Sequence, residues 1–196
     1  MMEELSMHIL DIVENSVRAG ATMVTIEINE STSEDRLTVI IEDNGSGMDE
    51  ETLRKALDPF YTTKTVRKVG LGIPLLAQAA RAAGGDLAIT SEVGKGTRIY
   101  ADFQLSHIDR QPLGKMEDTI VSIIAGNPGM DFVYIHRRNG GTYQLDTREL
   151  REALEDVPIN HGSVLSFIRD GVKEALAAMK VGSGIDLEHR AITDDP

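Results

Sequence analysis

Two short alternations do most to limit what this chain can fold into. Val24, Ile26 and Ile28 alternate with polar residues, and Leu37, Val39 and Ile41 do so again after a polar loop from Glu30 to Arg36. A period of two puts each triplet on one side of an extended strand, so both segments read as half-buried strands joined as an antiparallel pair. The segment before them has the other period. Leu5, Ile9, Ile12, Val13 and Val17 recur at helical spacing, while His8, Asp11, Asn15 and Arg18 fall three or four residues apart on the opposite side. Gly20 follows, and a glycine there can take the left-handed conformation that closes a helix. One apolar stripe and two apolar strand faces cover each other, which predicts a helix-on-sheet layer. The polar stripe is open to two readings, a solvated face or one wall of a site.

Composition narrows the function. With 196 residues, 41% of them hydrophobic, the chain can bury a core. Its net charge is −12 and both halves are acidic, which disfavours a nucleic-acid surface, since gripping phosphates takes clustered lysines and arginines. The absence of cysteine removes disulfides, thiolate metal sites and thiol nucleophiles. No apolar run approaches the ~20 residues of a membrane span. The start Met1-Met2-Glu3-Glu4 is acidic where a signal peptide is basic, so the expected location is cytoplasmic.

Further along stands Asp43-Asn44-Gly45-Ser46-Gly47-Met48 at the end of the second strand. Glycines there let backbone pass close to a flat ligand, and a carboxylate can accept from an exocyclic amine such as that of adenine; Asp-Asn-Gly is equally an ordinary turn. A calcium loop beginning at Asp43 fails, because its twelfth position is Arg54 rather than a glutamate. Asp49 to Leu57 reads as a capped helix broken by Asp58-Pro59. Phe60 to Gly72 is then polar, basic and glycine-bearing. Thr62, Thr63 and Lys64 offer hydroxyls and a cation, and Gly70-Leu71-Gly72 feeds a helix running from Pro74 to Ala83, the arrangement of an anion site at a helix N-terminus. Neither the dinucleotide fingerprint nor the P-loop string is present. Gly84-Gly85 ends that helix, and Leu87, Ile89, Thr97, Ile99 and Ala101 mark two strands joined across Val93-Gly94-Lys95-Gly96.

Taken in this order, residues from about Leu5 to Leu105 resemble the ATPase domain shared by DNA gyrase, the heat-shock chaperone of that class, histidine kinases and the mismatch-repair ATPase. Val13-Glu14-Asn15-Ser16 with Ala19-Gly20-Ala21-Thr22 is similar to the mismatch-repair member. Asp58 to Lys64, Gly70-Leu71-Gly72-Ile73 and Gly94-Lys95-Gly96-Thr97 are similar to histidine kinases. The resemblance implies an α/β (α+β sandwich) fold, its mixed, mostly antiparallel sheet covered on one face by helices, with ATP between the helices and a lid. It implies that Asn15 binds Mg2+, that Asp43 reads the adenine amine with Gly45, Gly47 and Met48 around the base, and that Thr97 adds a polar contact. Thr62, Thr63, Lys64, Gly70, Leu71 and Gly72 would belong to the lid over the phosphates, and Arg18 would touch a phosphate. Asp11 takes the position from which relatives activate an attacking hydroxyl with a glutamate, one methylene longer. With its first helix near residue 1, the chain is expected to be a stand-alone member lacking a phosphoacceptor-histidine segment, and His8 reads as structural or ligand-adjacent.

After a linker from His107 to Gly114, the second half suggests a helix ending at Gly126, a hairpin from Phe132 to Leu145 and a short helix capped by Asp146 with Glu149. A longer helix carries Leu165, Ile168, Val172, Leu176 and Met179. His136-Arg137-Arg138 reads as a solvated hairpin end. The expected organisation is an ATP-binding domain over 1–106, a small α+β partner-docking or regulatory module over 113–181, and a disordered tail over 182–196. Two functions stand: an ATP-dependent protein kinase or slow ATPase acting on a separate protein partner, or a non-catalytic module in which ATP or ADP changes a partner's affinity. Whether two copies form a homodimer is left open.

Overall fold

The computed structural model describes residues 4–56 and 72–180, together with the backbone of 186–187. Thr62, Thr63, Lys64, Gly70 and Leu71, the Asp58-Pro59 break and most of the tail from Gly182 lie outside the described residues. Helix α1 (Leu5–Arg18) is followed by β1 (Met23–Ser31), β2 (Arg36–Asp43), α2 (Glu50–Lys55), α3 (Gly72–Ala82), β3 (Leu87–Glu92) and β4 (Gly96–Gln104). Then come α4 (Met116–Gly126), β5 (Asp131–Arg138), β6 (Gly141–Asp146), α5 (Thr147–Leu154), α6 (Gly162–Lys180) and the two-residue β7 (Asp186–Leu187).

Gly20 closes α1 at φ 74°, with the Ala21 amide bonded back to the Ser16 carbonyl at 3.0 Å. Asp49 caps α2, its side chain accepting from the Thr52 amide at 2.7 Å. Asp146 caps α5 by accepting from the Arg148 amide at 2.9 Å. The N-terminus of α1 is satisfied from a distance. Its Leu5 and Ser6 amides donate to the carbonyls of Pro112 and Leu113 at 3.0 and 2.9 Å, so the stretch after β4 is docked against the helix and supplies its cap.

The strands form one seven-stranded sheet in the order β3-β4-β2-β1-β5-β6-β7. β1 pairs antiparallel with β2 and parallel with β5, and the pairs β2–β4, β3–β4 and β5–β6 are antiparallel. Register carries the alternation across the sheet. Ile26 stands opposite Ile41 and Tyr134, Ile41 opposite Ile99, and Ile28 opposite Val39 and His136. Those residues are buried, whereas Glu42 and Arg98, opposite each other on the other face, are exposed. The apolar residues of α1, α3, α4 and α6 join the same core, so residues 113–180 form an α+β segment whose strands continue the first half's sheet. In α6 the buried residues are Val164, Ile168, Val172, Ala175 and Met179, with Leu165 and Leu176 packed at the edge.

The expectation of a solvated His136-Arg137-Arg138 is corrected here. His136 is 1% exposed because its register opposite Ile28 and Tyr143 turns it inward. Both ring nitrogens are satisfied, by the Tyr134 hydroxyl at 2.7 Å and by Glu30 Oε1 at 2.9 Å, and Arg138 pairs with Glu30 at 3.2 Å. Burial pushes the Glu30 carboxyl up, but the hydrogen bond and charge of His136, with Arg138 and Arg110, outweigh it and hold the group below the usual carboxylate range.

Because Ile26 contacts rows from both halves, Ile26→Ala should destabilise the protein by about 3 kcal/mol through the cavity it leaves. Urea unfolding reads the loss, and hydrogen exchange should show β4 and β6 amides losing protection together. Loss confined to one half would rule out a shared cooperative core.

Candidate functional site

Strand register decides where the acidic end of β2 points. Asp43 stands opposite Val24 on one side and Thr97 on the other, and Thr97 stands opposite Ser91. This row lies on the helix-covered side, beneath the last turns of α1. Ser16, one of the few buried polar residues of α1, donates from Oγ to Asp43 Oδ2 at 2.6 Å, and the Gly45 amide donates to Oδ1 at 2.9 Å. Two donors hold the carboxylate in one orientation. Ser91 does similar work beside it: its Oγ accepts from the Met48 amide at 2.9 Å and lies 2.8 Å from Thr97 Oγ1.

The loop after β2 is laced on both sides. Asn44 Oδ1 accepts from the Thr22 and Met23 amides at 2.9 Å each, the Ser46 amide donates to the Ala19 carbonyl at 2.9 Å, and the Gly94 amide donates to the Ser46 carbonyl at 2.8 Å. Glycine is required at two points of this lacing. A Cβ on Gly47, at φ 65°, would overlap the Glu92 carbonyl, and one on Gly96, at φ 111°, would overlap the Asp43 carbonyl. A depression of about 330 Å³ over the β3–β4 hairpin is lined by Asp43, Ser91, Lys95 and Thr97 among others, and no residue of α1 lines it.

Along α1, Asn15 Oδ1 accepts from Arg18 at 3.0 Å, while Arg18 pairs with Glu14 at 2.8 Å. Both partners of that ion pair are about half exposed and water screens them, so Arg18 is held only loosely. Asp11 is placed differently. Its Oδ2 is buried without a hydrogen-bond partner among the described residues, and a Cβ on Gly72 would overlap it, so the first residue of α3 presses its bare Cα against the carboxylate. A buried carboxylate oxygen left unpaired is costly and calls for a reason. His8, one turn earlier, is 1% exposed with Nε2 3.0 Å from Gln111 Oε1, which places it inside the packing rather than on a polar stripe. Burial pushes its imidazole below the ordinary range, against the Gln111 hydrogen bond, the Asp11 carboxylate and the Gly72 backbone.

Two groups of side chains thus meet across α1. Asp11, Asn15 and Arg18 lie along the helix with Gly72 against Asp11, and Asp43, Gly45, Gly47, Met48 and Thr97 lie at its C-terminal end, joined to it through Ser16 and Ala19. Ser16, Asn44 and Ser91 escape the sequence reading, because serine and asparagine at a helix end or turn carry no distinguishing pattern. The signal that marks Ser16 is a hydroxyl on an otherwise apolar stripe.

The donor set fits a nucleotide and one hard cation. An anchored carboxylate with lone pairs to spare stands at one end, and Asp11, one turn before the Asn15 amide, sets an oxygen unpaired among the described residues against α3. Among the described residues no group of three or more histidines, aspartates or glutamates could hold a metal alone, so a cation here would take most of its oxygens from phosphate and water.

Residues 3–107 match the sequence model described as "Histidine kinase-, DNA gyrase B-, and HSP90-like ATPase". The chain is 34% identical to the sensor protein kinase FleS of Pseudomonas aeruginosa over 56% of its length, and 30% identical to sporulation kinase C of Bacillus subtilis over 48%. It spans only 27% and 22% of those two proteins. Among solved structures it is similar to the N-terminal domain of a DNA repair protein, with a TM-score of 0.52, 16% identity, and coverage of 74% of this chain and 53% of that one, a likeness of fold alone.

The displaced pKa of His8 gives a pH test. An unfolded histidine titrates near 6.5, the folded one lower, so unfolding takes up a proton and stability falls as pH drops below about 6.5 toward the folded value. His8→Gln removes that titration, so its urea midpoint should fall less steeply than the parent's between about pH 7 and pH 5. Equal slopes would show that His8 does not resist protonation.

Proposed function

The chain belongs to the histidine kinase-, DNA gyrase B-, and HSP90-like ATPase family, and on that premise we propose that it uses Mg-ATP for phosphoryl transfer to a hydroxyl of a separate protein or of water. The observation carrying this reading is the buried Asp11 Oδ2, unpartnered among the described residues, against the first residue of α3. A carboxylate in that state has a lone pair free to take a proton.

Asp43, oriented by Ser16 and Gly45, accepts from the adenine amine, with Gly47, Met48 and Thr97 beside the base. Asn15, whose amide oxygen accepts from Arg18 at 3.0 Å, would hold Mg2+ through that oxygen, and the Arg18 guanidinium would then be available to a phosphate. The ion neutralises charge on the phosphate oxygens when bound. Thr62, Thr63, Lys64, Gly70 and Leu71, outside the described residues, serve the phosphates with Gly72. As the attacking oxygen bonds to the γ-phosphorus, its proton passes to Asp11 Oδ2 and the bond to the β-phosphate oxygen breaks, so ADP leaves with the electron pair. Residues 113–181 present the surface for the protein partner.

A second reading, ATP sensing without chemistry, is favoured by the short reach of an aspartate. Calorimetric titration should show Asp43→Asn weakening ATP by at least about tenfold, the worth of one lost charge-assisted hydrogen bond. Unchanged affinity would remove Asp43 from the base-reading role. Asp11→Asn should keep ATP binding and lower phosphate release about 100-fold or more. If the parent protein binds ATP but neither releases nor transfers labelled phosphate, the sensing reading replaces the catalytic one.

A further inference from the structure

A second cavity bordered by described residues lies far from Asp43. It measures about 720 Å³ and sits between the far ends of β1 and β5, the segment after β4, the start of α4 and the last turns of α6. Glu30 borders it, seven residues along β1 from Met23, which is bonded to the Asp43 loop. At about 3.3 Å per residue that is on the order of 23 Å along the strand.

Its charge is opposite to that of the protein. In a chain of net charge −12, the described residues lining this cavity include five cations against two carboxylates. Arg110, Lys115, Arg138, Lys173 and Lys180 supply the positive charge. One of the carboxylates, Glu30, is already committed to His136 at 2.9 Å and Arg138 at 3.2 Å, leaving Glu117 as the other.

The described residues leave much of this positive charge unpaired. The ammonium groups of Lys115, Lys173 and Lys180 have no ion pair among the described residues. Arg138 gives Nη1 to both Glu30 oxygens, at 3.3 and 3.2 Å, while its Nε is buried without a hydrogen-bond partner among the described residues. Arg110 gives Nε to the Leu105 carbonyl at 2.7 Å and one Nη to the Gln111 carbonyl at 3.0 Å, so neutral backbone positions its charge, which is felt by Glu30 without a direct ion pair. The start of α4 adds to this, because Lys115 at its N-cap makes no side-chain capping bond and the positive end of the helix dipole faces the same space. Leaving like charges gathered around a cavity costs free energy unless an anion offsets it. Apolar side chains complete the wall, Leu105, Pro112 and Leu113 on one side and Leu176 with Ala177 on the other.

We propose that this cavity is a second ligand site, for a small multiply charged organic anion that carries an apolar portion. Carboxylate and phosphate groups share the required chemistry: oxygens for Lys115, Lys173 and Arg138, and carbon against Leu113 and Leu176. The site is independent of the nucleotide and of its turnover.

Calorimetric titration of the full chain with citrate and, separately, with inorganic pyrophosphate tests it. Saturable one-to-one binding of at least one probe is expected, unchanged in Asp43→Asn and at least tenfold weaker in both Lys173→Glu and Lys115→Glu, surface changes that leave the core intact. The stronger probe tells carboxylate from phosphate. Absence of saturable binding by either probe overturns the proposal. So does binding that survives both charge reversals, or binding lost in Asp43→Asn, which would put the anion in the nucleotide site.

Discussion

The structure hangs on the burial of one strand from above and from both sides. Val24, Ile26 and Ile28 are fully buried beneath the helices, while the backbone of β1 bonds antiparallel to β2 and parallel to β5. A strand with both edges paired and one face covered has no freedom to slip, because moving by one residue would turn three apolar side chains outward and Thr25 and Glu27 inward. Every functional position is reckoned from that register. It places Asp43 opposite Val24 at one end of the sheet and Arg138 opposite Glu30 at the other.

From that frame the two candidate sites are built by opposite means. At the Asp43 end, hydroxyls and amides satisfy a carboxylate and a loop so fully that Gly47 and Gly96 tolerate no side chain, and the polar groups are fixed before any ligand arrives. Preorganisation of that kind favours recognition, since little ordering remains to oppose binding. At the other end five cations gather around two carboxylates, and among the described residues Lys115, Lys173 and Lys180 have no ion pair while Glu30 is taken up by His136 and Arg138. Asp11 lies between these extremes, enclosed by packing yet unpaired at one oxygen among the described residues.

The segment after β4 ties the ends together. Its Pro112 and Leu113 carbonyls cap α1, its Gln111 amide oxygen meets His8, and Arg110 and Lys115 border the basic cavity. One stretch of chain therefore touches the first turn of the helix that carries Asp11 and Asn15, and the wall of a cavity at the opposite end of β1 from the Asp43 loop. The inward turn of His8 and His136 has the same origin, since each imidazole finds its partner on a distant segment, Gln111 or Glu30.

Periodicity alone was enough for much of this. The stripe of α1, the alternations of β1 and β2, the Gly20 stop and the Asp49 and Asp146 caps depend on residues near one another in sequence, and short-range stereochemistry favours one outcome at each. The order of motifs from Leu5 to Leu105 also made the family legible, because its glycines and polar residues recur at readable spacings. Three-dimensional structure was needed wherever partners lie far apart along the chain. The parallel pairing of β5 with β1, the Ser16 hydroxyl on Asp43 and the Gly72 Cα on Asp11 join residues from 27 to more than 100 positions apart, and the five cations around one cavity come from Arg110 to Lys180. Local spacing carries no trace of such pairs; burial and register, acting on the whole chain at once, decide them.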